Sequence, residues 1–346
     1  MRAAIFNGPR DIVVEDVPDP AIEAPTDAIV RVILACVCGS DLWYWRGESP
    51  HGRTGIGHEF IGVVEAVGAS VGAVSEGDFV IAPFAYSDGT CPNCIVGMQT
   101  ACIHGGFFGS GDGLGGQAER VRVPLADGTL VAVPGEPRDE AMMRSLLTLS
   151  DVMGTGHHAA VSARVAQGDT VAVVGDGGVG LAAVLASKRL GAERIIALSR
   201  HATRQELACI FGATDIVAER GEAAIEAVLD LTSGAGVDAA LECVGTNDAM
   251  TTAIGVARPG STVGYVGVPH GIQLDVSRLF SRNVGIQGGS APVRAYLPDL
   301  LADVLAGRID PGRVFDLDVD LDHVADAYAA MDERRSIKAL IPVAAP

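Results

Sequence analysis

The stretch TVAVVGDGGVGLAAVLASKRLG, residues 170–191, constrains this chain more than any other. Five residues suited to a buried strand lead into a turn with glycines at 175, 177 and 180. An apolar helical pattern follows and stops at Gly191, and a second strand, RIIALS, comes next. The G-x-G-x-x-G spacing alone is weak evidence. Placed between a strand and a helix, with a second strand about 20 residues on, it is the fingerprint of a dinucleotide-binding βαβ unit. The first glycine permits the turn, the second lets the backbone approach a pyrophosphate, and the third packs helix on strand. The helix N-terminus then faces the anion. Gly175, Gly177, Gly178, Val179 and Gly180 are therefore candidate cofactor-binding residues.

The surroundings agree. Strand and helix patterns alternate from Asp169, through ATRQELACIFG, VDAALECVG, a helix through DAMTTAIGVAR that stops at Pro259–Gly260, and STVGYVGV. Continuous apolar strands separated by helices predict a parallel sheet with crossovers. Before residue 150 the texture is different: DIVVEDV, AIVRVILACV, FIGVVEAVG and DFVIAPF read as short strands of a closed or partly closed β fold. The 346 residues exceed one ordinary core. The expected organisation is a β-rich domain over 1–150, completed by 291–346, and a nucleotide domain over 151–290. Helices are expected at 295–307 and 321–333 and a last strand at IKALIPV.

A net charge of −18 argues against nucleic acid or an anionic membrane as partner. No apolar run approaches a membrane span, and MRAAIFNGPRD lacks the apolar core of a signal peptide. The expectation is a cytoplasmic protein whose seven cysteines are metal ligands or buried thiols rather than disulfides.

The tip of the second strand selects the nucleotide. NAD sites usually carry Asp or Glu there, accepting from the ribose hydroxyl. Here Ser199 occupies the position, followed by Arg200, His201 and Arg204. A hydroxyl and guanidinium groups suit a 2′-phosphate, which a carboxylate would repel. The sequence predicts NADP(H) over NAD(H), with Ser199, Arg200 and Arg204 as determinants.

Metal-ligating residue types recur in order along the chain. CGSD supplies Cys38 and Ser40, GHEFIGVV supplies His58 and Glu59, and LSDVMGTGHHAA supplies Asp151. Thiolate, imidazole and carboxylate are all zinc ligands. SDGTCPNCIVGMQTAC adds three cysteines, Cys91, Cys94 and Cys102, and a closed tetrahedral site needs a fourth ligand.

With CGSD, GHEFIGVV, GTCPNC…C, SDVMGTGHHAA and VVGDGGVG in place, the chain resembles a zinc-dependent medium-chain alcohol dehydrogenase over nearly its whole length. The resemblance implies a GroES-like β-rich catalytic domain plus a Rossmann domain, an α/β architecture with a doubly wound parallel sheet. It implies Cys38, His58 and Asp151 as catalytic zinc ligands, with Glu59 as an exchangeable or supporting carboxylate, and it counts Thr155 among the nucleotide residues. Asp151 in the third ligand position is similar to the bacterial NADP-linked secondary-alcohol branch. Ser40 would accept the alcohol proton. A relay histidine often follows the ligand cysteine by five residues in this family; Trp43 stands there instead, leaving the ribose hydroxyls, His51 or water as the route. Trp43, Tyr44 and Trp45 either wall the substrate pocket or belong to the core.

The family's structural-zinc lobe has the spacing C-x₂-C-x₂-C-x₇-C. Counting back from Cys91 places Asp88 where the first cysteine would be, so Asp88, Cys91, Cys94 and Cys102 form the expected second site, with His104 as competing fourth ligand. The resemblance also implies a homodimer or homotetramer, with NVGIQGG as edge strand. The activity implied is hydride transfer between NADP(H) and an alcohol/carbonyl pair. The alternatives are a polyol or sugar dehydrogenase of the same superfamily and a non-catalytic NADP-binding protein.

Overall fold

The strand–helix alternation after residue 169 folds as a six-stranded, all-parallel sheet. Its order is Asp215–Val217, Arg194–Leu198, Thr170–Val174, Val237–Glu242, Ala257–Tyr265, Gly285–Gly288. The order reverses at Thr170–Val174, the strand that feeds the glycine turn, and such switch points are where open α/β sheets bind ligands. The structure is a computed structural model that describes residues 1–110, 115–135 and 137–344. The chain divides into two compact units, Met1–Asp151 with Pro292–Pro346, and Val152–Ala291.

In the second unit, helices Gly178–Arg189, Ala202–Phe211, Gly221–Leu231 and Asn247–Val256 connect the strands. Ala172, Val174, Ile196, Ala240 and Val263 build a core from the sheet. The helix through DAMTTAIGVAR ends at Val256, earlier than Pro259–Gly260, and Ala257 and Arg258 already lie in the next strand. The residue before a proline avoids the helical region, so Arg258 is extended and the helix closes upstream of it. Gly285–Gly288, within NVGIQGG, is the strand at the end of the sheet.

The first unit is organised around one long strand, Ala28–Cys36. One of its neighbours is Phe60–Val67. Two further strands share its length: Arg120–Val123 pairs with residues 28–31, and Lys338–Pro342 pairs with residues 34–36. The seven-stranded sheet runs Val131–Ala132, Phe79–Ala82, Phe60–Val67, Ala28–Cys36, Lys338–Pro342, Phe315–Asp318, with Arg120–Val123 attached to Ala28–Cys36. Strands from the two ends of the sequence thus meet, and the residues after 291 complete this unit. The C-terminal helices are Val293–Leu305 and Val324–Asp332; the second is preceded by a 3₁₀ turn, Leu321–His323, which Asp320 caps by accepting from the His323 amide. Phe60, Phe108, Trp45 and Tyr328 anchor the core.

Candidate functional site

Cys38 follows the long strand directly and is buried. His58 and Glu59 precede Phe60–Val67, the strand paired to it, so the segments carrying Cys38 and His58–Glu59 arise at the same end of that pair. Asp151 follows the helix Glu140–Thr148 by a short turn. The fold brings one donor atom from each of Cys38, His58, Glu59 and Asp151 to within 4.8 Å of one another. The Asp151 Oδ2 lies 3.5 Å from the Cys38 thiol and 3.3 Å from His58 Nε2.

Two partners that the sequence did not reveal hold this group. His58 Nδ1 is 3.2 Å from the Asp41 carboxylate, which also accepts from the Cys38 amide at 3.0 Å. Asp41 is buried, and a carboxylate behind an imidazole fixes its tautomer and leaves the other nitrogen to face a metal. On the other side Lys338 Nζ, 1% exposed, donates to Glu59 Oε1 at 2.7 Å and to the Val37 carbonyl at 3.0 Å. The second Glu59 oxygen accepts from the Cys36 thiol at 3.2 Å.

The electrostatics show what the group lacks. Burial, then the Asp151 and Glu59 charges, push the Cys38 thiol up to about 11. Burial also raises Glu59 despite the pull of Lys338. His58 is driven down by burial but ends well above its usual value because Asp41, Cys38 and Asp151 favour its charged form. A buried group of two carboxylates, a thiol and an imidazole has little positive charge beyond Lys338, and a divalent cation would supply it. The donor set therefore fits zinc.

Ser40 stands between Cys38 and Asp41, partly exposed, and its hydroxyl makes no cap bond to the helix Asp41–Trp45. The three aromatic residues separate. Trp45 is core, against Tyr328 at 5.6 Å. Tyr44 stacks on His51 at 4.4 Å, and Trp43 carries the Arg46 guanidinium over its ring.

In the Ser87–Cys102 loop, donor atoms of Asp88, Cys91, Cys94 and Cys102 also lie within 4.8 Å of one another. Asp88 Oδ1 accepts from the amides of Thr90 and Cys91, and its other oxygen pairs with His104 Nδ1 at 2.6 Å. His104 thus sits behind Asp88 instead of joining the cysteines. The Cys91 and Cys102 sulfurs are 3.9 Å apart, and Cys94 is pushed up to about 12, first by burial. Three sulfurs and a carboxylate gathered this closely match the donor types and number of a closed tetrahedral site, so this set also fits zinc.

In the nucleotide unit, Gly175 takes φ +120°, and a Cβ on Gly180 would lie 2.0 Å from the Gly175 carbonyl oxygen. Gly177 precedes the helix Gly178–Arg189 with no side-chain cap and open space where its Cβ would be. An uncapped helix end behind a bare backbone turn fits a pyrophosphate. Thr155 is buried on helix Val152–Ser162, which packs against that helix. Ser199 is buried at the end of strand Arg194–Leu198, Arg204 is buried on the following helix, and Arg200 is exposed. Ser199 and Arg204 are both bonded to Asp176, the residue between the first two glycines.

Comparison with known proteins gives the family. Residues 24–135 match the alcohol dehydrogenase GroES-like domain, and residues 178–305 match the zinc-binding dehydrogenase domain. A probable zinc-binding alcohol dehydrogenase of Mycobacterium tuberculosis is 34% identical over 96% of this chain and 86% of its own length. The structure of the alcohol dehydrogenase TADH from Thermus sp. ATN1 superposes with a TM-score of 0.92 at 33% identity, covering 99% of this chain and all of that one. A putative zinc-binding dehydrogenase from Sinorhizobium meliloti, bound to NADP, superposes with a TM-score of 0.81 at 25% identity over 99% of both chains. With both domain matches in sequence order and a relative this similar along almost the entire chain, the protein belongs to the zinc-dependent medium-chain dehydrogenase family, as an alcohol dehydrogenase-like oxidoreductase.

Proposed function

We propose that the protein transfers hydride between NADP(H) and a small alcohol/carbonyl pair at a zinc centre formed by Cys38, His58 and Asp151. The convergence of a thiol, an imidazole and a carboxylate from three separate segments carries this reading. Three protein ligands are the set that keeps a fourth position for substrate. A zinc ion held there supplies Lewis acidity to the substrate oxygen, lowering the pKa of a hydroxyl or polarising a carbonyl.

The remaining work falls to the chain. Asp41 holds His58 in the tautomer whose Nε2 binds metal. Ser40, with a hydroxyl not spent on capping, relays the alcohol proton during oxidation, accepting it as its own hydroxyl proton passes on to the ribose hydroxyls, His51 or water, and the relay runs backwards during reduction. Glu59, neutralised by Lys338, acts behind the ligands as a supporting carboxylate. Asp88, Cys91, Cys94 and Cys102 hold a second, structural zinc, with His104 orienting Asp88. Gly175, Gly177, Gly178, Val179 and Gly180 bind the pyrophosphate, with Thr155 nearby on the adjacent helix. The preference for NADP(H) is supported by Ser199 in place of an acid at the strand tip, with Arg200 and Arg204 following. The reading includes a cytoplasmic location and a homodimer or homotetramer joined through the edge strand Gly285–Gly288.

The test is a panel of small ketones, aldehydes and alcohols followed at the nicotinamide absorbance with each nucleotide. Chelator-sensitive turnover with the higher kcat/KM for NADP(H) is expected. Full turnover after zinc removal would falsify the centre, and a clear NAD(H) preference would overturn the nucleotide assignment alone.

A further inference from the structure

The strand tip that lacks an acid is nevertheless next to one. Asp176 occupies the variable position between Gly175 and Gly177, and its side chain is only 16% exposed. Its Oδ2 accepts the Ser199 hydroxyl at 2.8 Å. Arg204 Nη1 donates to the Asp176 carbonyl at 3.1 Å and stands 3.4 Å from Oδ1. Gln205 fixes the other side of Ser199 by donating to its carbonyl at 2.7 Å. Two of the three groups that would receive a 2′-phosphate are therefore already tied to a carboxylate.

We propose that Asp176 is the residue that sets discrimination between NAD(H) and NADP(H), supplying from the glycine turn the acid that the strand tip has lost. This rests on the reading that the dinucleotide lies on Gly175–Gly180. The Ser199 proton points to Asp176, so the hydroxyl presents lone pairs to an incoming phosphate rather than a donor. The Arg204 charge is offset by the carboxylate beside it, and the carboxylate itself repels a dianion. A ribose diol meets the opposite situation, because Asp176 accepts hydroxyl protons as the acid at a strand tip does. Arg200 and Arg204 favour the phosphate, Asp176 opposes it by its charge and by holding the Ser199 proton, and the balance fixes the ratio.

Asp176→Asn keeps the shape and an acceptor for Ser199 while removing the charge. Calorimetric titration of the full chain with adenosine 2′,5′-bisphosphate and with 5′-AMP reads the effect without catalysis or zinc. The ratio of their association constants is expected to move toward the bisphosphate by roughly tenfold or more in the variant. NADPH and NADH dissociation constants from nicotinamide fluorescence should move in the same sense. A ratio shift below about twofold, with the thermal midpoint of the variant unchanged, overturns the proposal; Asp176→Ser, which also removes the charge, must then show no shift either. If the parent chain already prefers 5′-AMP but the ratio still shifts, the NADP(H) assignment fails and Asp176 stands. If neither probe binds the parent chain, the nucleotide site and this inference fall together.

Discussion

The two four-donor clusters use similar residue types and are built in opposite ways. Asp88, Cys91, Cys94 and Cys102 come from one loop, around a helix of four residues and a single 3₁₀ turn. Around them Ile95, Val96 and Ile103 are exposed, so the loop has little apolar core of its own. Cys38, His58, Glu59 and Asp151 come from distant segments, each fixed by a strand, a helix or a buried partner. On the proposed reading, a zinc in the lobe would hold its shape, as metals do in small metal-bound loops. The centre has its shape from the fold, and on the same reading a zinc there would serve chemistry instead.

The largest effect should come from the centre. Asp151→Ala removes a proposed ligand whose position the fold keeps, and kcat/KM should fall by at least roughly 10³-fold, the several kcal/mol that Lewis-acid stabilisation contributes. The melting midpoint should shift by no more than about 2–4 °C. A collapse in stability with little change in turnover per folded molecule would erase the contrast.

Lys338→Met tests whether the centre is scaffolded from within. It leaves the fully buried Glu59 carboxylate without its cation, and breaking such a pair costs about 3–5 kcal/mol. Denaturant unfolding should show that loss, and a variant as stable as the parent would mean that Glu59 is neutral in the folded protein.

Cys91→Ser inverts the pattern. Elemental analysis should give one zinc per chain instead of two. The midpoint should fall by about 5–10 °C, corresponding to a few kcal/mol in a chain of this size. Turnover per folded molecule should stay within about threefold. A parent chain that contains one zinc would empty the lobe and remove half of the comparison.

The smallest effect lies outside both clusters. Asp215 is held below the ordinary aspartate range by its bonds to Arg194, at 2.7 Å and 2.9 Å. Its contribution is therefore complete above the unfolded value and is lost as pH falls through the lowered folded value. The pair is about a third exposed at Arg194, so the contribution is below about 1 kcal/mol. Asp215→Asn should be less stable than the parent at neutral pH and converge on it in acid. Divergence in acid would show that the carboxylate is not ionised by that pair.

Legibility followed the same division. The four residues of the lobe share one loop, and Asp88 is named by laying the resembled family's spacing over the three cysteines, which the fold then gathers with it. Cys38, His58 and Asp151 were readable as ligand types through their motifs. Their supporting partners were not. Asp41 sits three residues after Cys38, but its role appears only when His58 arrives against it. Lys338 left a faint signal, a cation in the otherwise apolar IKALIPV, with nothing to name Glu59 as its mate. Asp176 was hidden in a variable position of a motif read for its glycines. Arg200 and Arg204 looked equivalent as cations near the strand tip, yet one is exposed and the other buried against Asp176.

By itself the sequence determined what short-range sterics and spacing control: the glycine turn between strand and helix, the alternation that makes a parallel sheet, and the close set of loop cysteines. Only the tertiary structure decided which charges face each other. Lys338 meets Glu59 because the last strand pairs beside Cys36, and Asp176 meets Ser199 and Arg204 because two parallel strands end level with one another. Backbone conformation is a local property of residue type. The partner of a buried charge depends on strand register and burial, which are fixed by contacts among residues far apart in the chain.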